Sequence, residues 1–189
     1  AFLGCTKWYD KNGFLIVKDR FCAVHTGEID MQIPEGPTQM LATNWNRNME
    51  TITLPESVTI IGEGVFKNLS KLMRVNMGEH VQTIEAEAFY QCGNLKEIVL
   101  SKNLKKIGNR AFYGSGLREV KIPEGVEKIG LQAFAYCRGL MDVHIPASVK
   151  SIGKEIFGPS VRGIYVHTPE GSYAETYFKS YVGVNIIHD

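Results

Sequence analysis

Apolar residues return along this chain at two nested intervals. The short interval is two: Val120 and Ile122 alternate with Glu119 and Lys121, and Val143 and Ile145 with Asp142 and His144. Alternation of this kind is the signature of a strand with one face buried. The long interval is 22 to 23. Leu72, Leu95, Leu117 and Leu140 are spaced by 23, 22 and 23 residues, and the same neighbours recur around each. Repetition at such a period predicts a solenoid, in which each coil is too short to bury its own apolar face and stacked coils bury it together.

Five copies align from Met49 to Phe157. One reads Leu95, Ile98, Leu100, Leu104, Ile107-Gly108 and Ala111-Phe112. The next reads Leu117, Val120, Ile122-Pro123, Val126, Ile129-Gly130 and Ala133-Phe134. A third holds Leu140, Val143, Ile145-Pro146, Val149, Ile152-Gly153 and Ile156-Phe157. Earlier copies hold Leu72, Val75, Met77, Val81, Ile84 and Ala88-Phe89, and before that Met49, Ile52, Leu54-Pro55, Val58, Ile61-Gly62 and Val65-Phe66. The alternating pair points into the coil, and the Val/Ile pair after it forms a second, short inward segment on the return side. The glycine that follows suits either a positive φ or a close backbone approach; Glu85 in its place shows that glycine is favoured there and not obligatory. Ala then lets backbones approach and Phe fills the interior.

This pattern, Leu-x-x-Val-x-Ile-Pro, Val-x-x-Ile-Gly, Ala-Phe and Cys-x-x-Leu, resembles the BspA-like class of bacterial leucine-rich repeats. It has no Asn ladder after the strand; Pro55, Pro123 and Pro146 stand there instead and end the strand. The resemblance implies a right-handed α/β-type repeat solenoid, with a parallel sheet on one face and short turns or helical pieces on the other. It also implies a bacterial, secreted or surface-exposed protein engaged in adhesion.

The expected domain is single: 1–30 an N-terminal cap, 31–166 the repeats, 167–189 a C-terminal cap. Phe14–Val17 and Phe21–His25 flank Lys18-Asp19-Arg20 as a β-hairpin would. Met31, Ile33-Pro34 and Trp45 form a degenerate first repeat with Trp45 at the Phe position, and Ile164-Tyr165-Val166 one more rung. Ser172 and Glu175 make a capping-box pattern, and Ala174, Tyr177, Phe178 and Tyr181 share one helical face. That face is read as a packed cap, with Tyr173 off it and exposed. Trp8 and Tyr9 are either exposed or packed on the hairpin. Val184–Ile187 reads as a last strand.

Charge narrows the function little. Lys plus Arg number 21 against 20 acids, giving a net charge of +1. No general attraction to nucleic acid or anionic membrane follows. No apolar run approaches the ~18 residues of a membrane span. Residues 1–10 lack a basic start followed by an apolar run, so no signal peptide is read there. Cys92 and Cys137 fall at equivalent places two rungs apart, roughly 10 Å at strand spacing, too far to bridge; both read as buried small hydrophobes. Cys5 and Cys22 are left open as a pair.

No catalytic or metal-ligand spacing emerges from His25, His80, His144, His167 and His188, and no nucleotide-binding fingerprint is found. No cofactor, metal or enzyme activity is expected. Asn68-Leu69-Ser70 matches a glycosylation acceptor, which carries little weight in a bacterial protein. The informative surface is the outward side of the strands: Thr51 and Thr53, Arg74 and Asn76, Glu97 and Val99, Glu119 and Lys121, Asp142 and His144, then Gly163 and Tyr165. Seven such rungs make a ladder of roughly 30 Å, enough to grip an extended partner. Arg74, Asn76, Glu97, Val99, Glu119, Lys121, Asp142, His144 and Tyr165 are the candidate binding residues. Glu97, Glu119 and Asp142 form one acidic column, read as a solvated face eased by Lys121 and Arg74, or as a site for a basic partner or a calcium ion. The expected function is recognition of a protein, such as a host extracellular or matrix protein, with a glycan as second partner. The rivals are a spacer displaying other domains and, more remotely, a carbohydrate-active enzyme.

Overall fold

The structure, a computed structural model, describes residues 14–17, 20–24, 29–41, 45–158 and 163–188. In chain order the strands are β1 (Phe14–Val17), β2 (Arg20–Val24), β3 (Asp30–Gln32), β4 (Gln39–Met40), β5 (Thr51–Thr53), β6 (Ile60–Ile61), β7 (Arg74–Asn76), β8 (Thr83–Ile84) and β9 (Lys106–Ile107). They continue with β10 (Glu119–Lys121), β11 (Lys128–Ile129), β12 (Asp142–His144), β13 (Ser151–Ile152) and β14 (Ile164–His167), then helix α1 (Tyr173–Phe178) and β15 (Val184–Ile187). Each coil contributes a two-residue strand to a back sheet, and every coil but the one holding residues 95–100 contributes a strand to a front sheet. The back sheet runs β1-β2-β4-β6-β8-β9-β11-β13, parallel throughout its repeat strands. Its existence corrects the expectation of turns or helical pieces on the return side; α1, six residues long, is the one α-helix among the described residues.

A third side closes the triangle without strands. Phe66 N–H donates to Ala88 O (2.9 Å), Phe89 to Ala111 O (2.7 Å), Phe112 to Ala133 O (2.8 Å) and Phe134 to Ile156 O (2.9 Å). Backbone groups are therefore paired from rung to rung on all three sides, which lets so short a coil be buried. The residue before each of these pairs lies at positive φ: Gly64 at 62°, Glu87 at 56°, Arg110 at 54°, Gln132 at 53° and Glu155 at 51°. Left-handed backbone costs a residue with a Cβ ~1–2 kcal/mol. The long polar side chains at these positions offset part of that by bonding along the stack. Lys67 pairs with Glu87 (2.5 Å), Arg110 donates to Gln132 (3.0 Å) and Gln132 to Glu155 (2.7 Å).

The core is the inward set read from the repeat. Val120, Ile122, Val126, Ile129 and their equivalents are buried, and Phe66, Phe89, Phe112 and Phe134 are almost wholly so. The rings form a column: Phe66–Phe89, Phe89–Phe112 and Phe112–Phe134 centroids lie 5.2, 5.1 and 5.4 Å apart. Trp45 extends it at 5.2 Å from Phe66 and donates its indole N–H to Val65 O (2.6 Å), as its place in the degenerate first repeat required. The repeat glycines are explained by close approach, not by φ. A Cβ on Gly62 would stand 2.2 Å from Met40 O, and one on Gly153 2.2 Å from Leu131 N. Cys92 and Cys137 are free and buried, their thiols facing Phe66 O and Phe112 O at 3.1 Å; burial pushes them up to about 12 and about 11. Cys5, whose pairing with Cys22 the sequence leaves open, lies outside the described residues, as do Trp8 and Tyr9.

β1 and β2 pair antiparallel, and β2 joins the back sheet beside β4. At the other end Ser172 caps α1 by accepting from Glu175 N–H (3.0 Å), while Glu175 accepts from Gly171 N–H (2.8 Å). Phe178 stacks on Phe157 at 5.5 Å, and the hydroxyls of Tyr177 and Tyr181 donate to Gly153 O and Gly158 O. Tyr181 lies beyond the last helical residue yet packs with this group, and Tyr173 is exposed.

Candidate functional site

The front face divides in two. β3-β5-β7 form one three-stranded sheet and β10-β12-β14-β15 another of four. Residues 95–100 keep the alternation, with Glu97 and Val99 outward and Leu100 inward, but join neither sheet. A bond from Arg118 N–H to Lys96 O (3.2 Å) ties them to the next rung. The break falls where the connection to the following rung is one residue shorter, between Phe112 and Leu117. The expected continuous ladder is thus interrupted at Glu97 and Val99, and Val99 is left 83% exposed.

Strand register fixes the two outward columns. Asp30, Thr51 and Arg74 align across the first sheet, beside Gln32, Thr53 and Asn76. Glu119, Asp142, Tyr165 and Asn185 align across the second, beside Lys121, His144, His167 and Ile187. The last outward pair on the array is therefore Tyr165 and His167. Gly163, expected there, lies before the strand; counting 23 residues from His144 would have found His167.

The acidic column does not stand as three carboxylates in line. Glu119 and Asp142 are neighbours, and Glu97 is outside their sheet. Glu119 pairs with Lys121 (2.9 Å) and lies 3.7 Å from His144; Asp142 lies 3.5 Å from His167. The hydrogen bond and charge of Lys121, with smaller contributions from His144 and His167, hold the Glu119 carboxyl below its ordinary range. The imidazoles of His144 and His167 stack with centroids 4.2 Å apart. Among the described residues no three carboxylate, imidazole or thiol groups converge to hold a metal ion. Arg74 and Asn76 are exposed on the first sheet, Asn76 accepting from Gly78 N–H (3.3 Å). No helix among the described residues is long and apolar enough to cross a membrane.

Residues 42–161 match the BspA type leucine rich repeat region, in six copies. The chain belongs to this family. Leucine-rich repeats of this kind point to a role in contacts between proteins or at a surface. The structure is similar to that of a leucine-rich repeat protein of T. pallidum, with 20% identity and a TM-score of 0.69, over 95% of this chain and 96% of that one. It is also similar to a leucine-rich repeat protein from Bacteroides ovatus (19% identity, TM-score 0.63, 95% of this chain and 66% of that). A third likeness is to the pneumococcal vaccine antigen PcpA (19% identity, TM-score 0.68), where it covers 94% of this chain and 48% of that one. At these identities the likeness speaks for the fold alone. No curated protein matches the chain in sequence.

Proposed function

We propose that this BspA-type repeat protein is a non-catalytic recognition module displayed outside the cell or on its surface, and that it grips a protein partner with the front face. The observation that carries this reading is the second front sheet. Its strands set varied side chains in register, Glu119, Asp142 and Tyr165 in one column and Lys121, His144 and His167 in the other. Glu119, Lys121 and Tyr165 are exposed, and the face mixes both charges with an aromatic ring. Complementary charge at such a face steers association and discriminates between partners. Arg74, Asn76, Glu97 and Val99 extend the same face across the break. The bacterial repeat proteins of like fold, a vaccine antigen among them, support an exposed location. A host extracellular or matrix protein is the partner class this reading favours.

The test is surface plasmon resonance of the purified chain against a panel of extracellular matrix proteins. A variant carrying Glu97→Lys, Glu119→Lys and Asp142→Lys should lose a saturable interaction while its circular dichroism spectrum and melting curve stay those of the parent. Unchanged affinity in the folded triple variant refutes the placement on this face.

A further inference from the structure

On the third side of the solenoid an open groove of about 450 Å³ is lined by Gln91, Gly93, Tyr113, Ser115, Tyr136 and Arg138, with Gly114, Gly116 and Gly139 between them. It lies at the rung that is one residue short. Gly114-Ser115-Gly116 stands where the preceding coil has the longer Gln91-Cys92-Gly93-Asn94. Gly116 is demanded by the fold, since its Cβ would stand 2.3 Å from Gly93 O. Gly93 and Gly139 are not. A Cβ on Gly93 would meet nothing within 4 Å, one on Gly139 only ordinary contacts from 3.6 Å, and neither residue has a positive φ. Their smallness keeps the groove open without serving the packing.

Beside this glycine floor stands a second aromatic column. Tyr90, Tyr113 and Tyr136 succeed one another at 4.9 Å, the first two nearly parallel at 10° and Tyr136 tilted by 43°. Tyr136 is 49% exposed, so its ring is offered to solvent beside the groove. The part of the ring that the column leaves uncovered suits the C–H face of a pyranose, and its hydroxyl can bond sugar hydroxyls. Arg138 is the one charged residue among those lining the groove. It enters none of the ion pairs found among the described residues, and no carboxylate lines the groove. A guanidinium with its fork uncommitted matches a carboxylate in two parallel hydrogen bonds.

We propose that the Gly93–Tyr113–Tyr136–Arg138 groove binds a carboxylate-bearing glycan, the sugar ring lying against Tyr136 and its carboxylate on Arg138. The site is separate from the front face and does not depend on a protein partner there.

Isothermal titration calorimetry of the 189-residue chain with galacturonate oligomers, against dextran oligomers of equal length, tests this. Saturable binding of the acidic oligomer that weakens with salt, with none of the neutral one, is expected. Arg138→Gln should weaken it at least tenfold. Gly93→Leu, which fills the groove without a backbone clash, should abolish it while the melting temperature is unchanged. Absence of binding, equal binding of both oligomers, or a full parental affinity in both variants would overturn the proposal. So would displacement of the sugar from its site by poly-glutamate at equal charge concentration, which would mark a general anion surface with no preference for a glycan.

Discussion

Removing one ring from the middle of the phenylalanine column tests the physical basis of the fold most directly. Phe112 is wholly buried and lies nearly parallel to both neighbours, at 3° to Phe89 and 3° to Phe134. Phe112→Ala deletes a full ring from a close-packed interior. The backbone on either side is tied to its neighbours by Phe89 N–H to Ala111 O and Phe112 N–H to Ala133 O, so the coils cannot collapse into the gap. The cost is then the transfer term plus an unrelaxed cavity, ~3–5 kcal/mol. For a chain of this size each kcal/mol shifts the melting temperature by ~2–4 °C, so a fall of about 6–20 °C follows. Phe112→Leu keeps most of the volume and should cost about 1–2 kcal/mol. Guanidinium titration followed by circular dichroism reads both values. A loss below about 1 kcal/mol for the alanine variant, with an unchanged denaturant slope, would mean that the column does not hold the coils together.

Glycine substitutions should separate close approach from mere smallness. Gly153→Ala drives a Cβ into the Leu131 backbone and should destabilise by ~1–3 kcal/mol, while Gly139→Ala, with room and an ordinary φ, should be neutral or stabilise by up to ~1 kcal/mol; equal effects in thermal melts would refute the distinction. The C-terminal cap should weaken in acid. Hydrogen bonds from Lys179 and then from Gly171 N–H hold the Glu175 carboxyl below its ordinary value of 4.5. Its contribution is therefore complete above that value and is lost as pH falls through the lowered one. The melting-temperature gap between the parent and Glu175→Gln should close as pH falls below 4.5 and through the lowered value; a gap that stays constant on acidification would refute the assignment.

What could be read from the chain alone follows from which constraints act at a period. Inward residues must be apolar in every coil, so Val120, Ile129 and Phe112 announced themselves by recurrence, and Trp45 by filling a Phe position. The cysteines were legible for the same reason, since equivalent places two rungs apart cannot be bridged. The back sheet was not, because strands of two residues such as Lys128–Ile129 are too short to alternate. Nor were the left-handed positions: Glu87, Arg110, Gln132 and Glu155 share a backbone conformation but no side-chain type, since each is chosen for its neighbour along the stack and not for its φ. The front-sheet break and the groove both fall beside the place where one residue is missing before Leu117. In the sequence that residue is only a step of 22 among steps of 23. In three dimensions it lies next to residues 95–100, which join neither front sheet, and among the residues that line the groove beside Tyr113 and Tyr136. A solenoid hides such a defect from pattern reading because every apolar position is still filled. Departures from the period, more than the period itself, are therefore where a ligand site should be sought in a repeat of this kind.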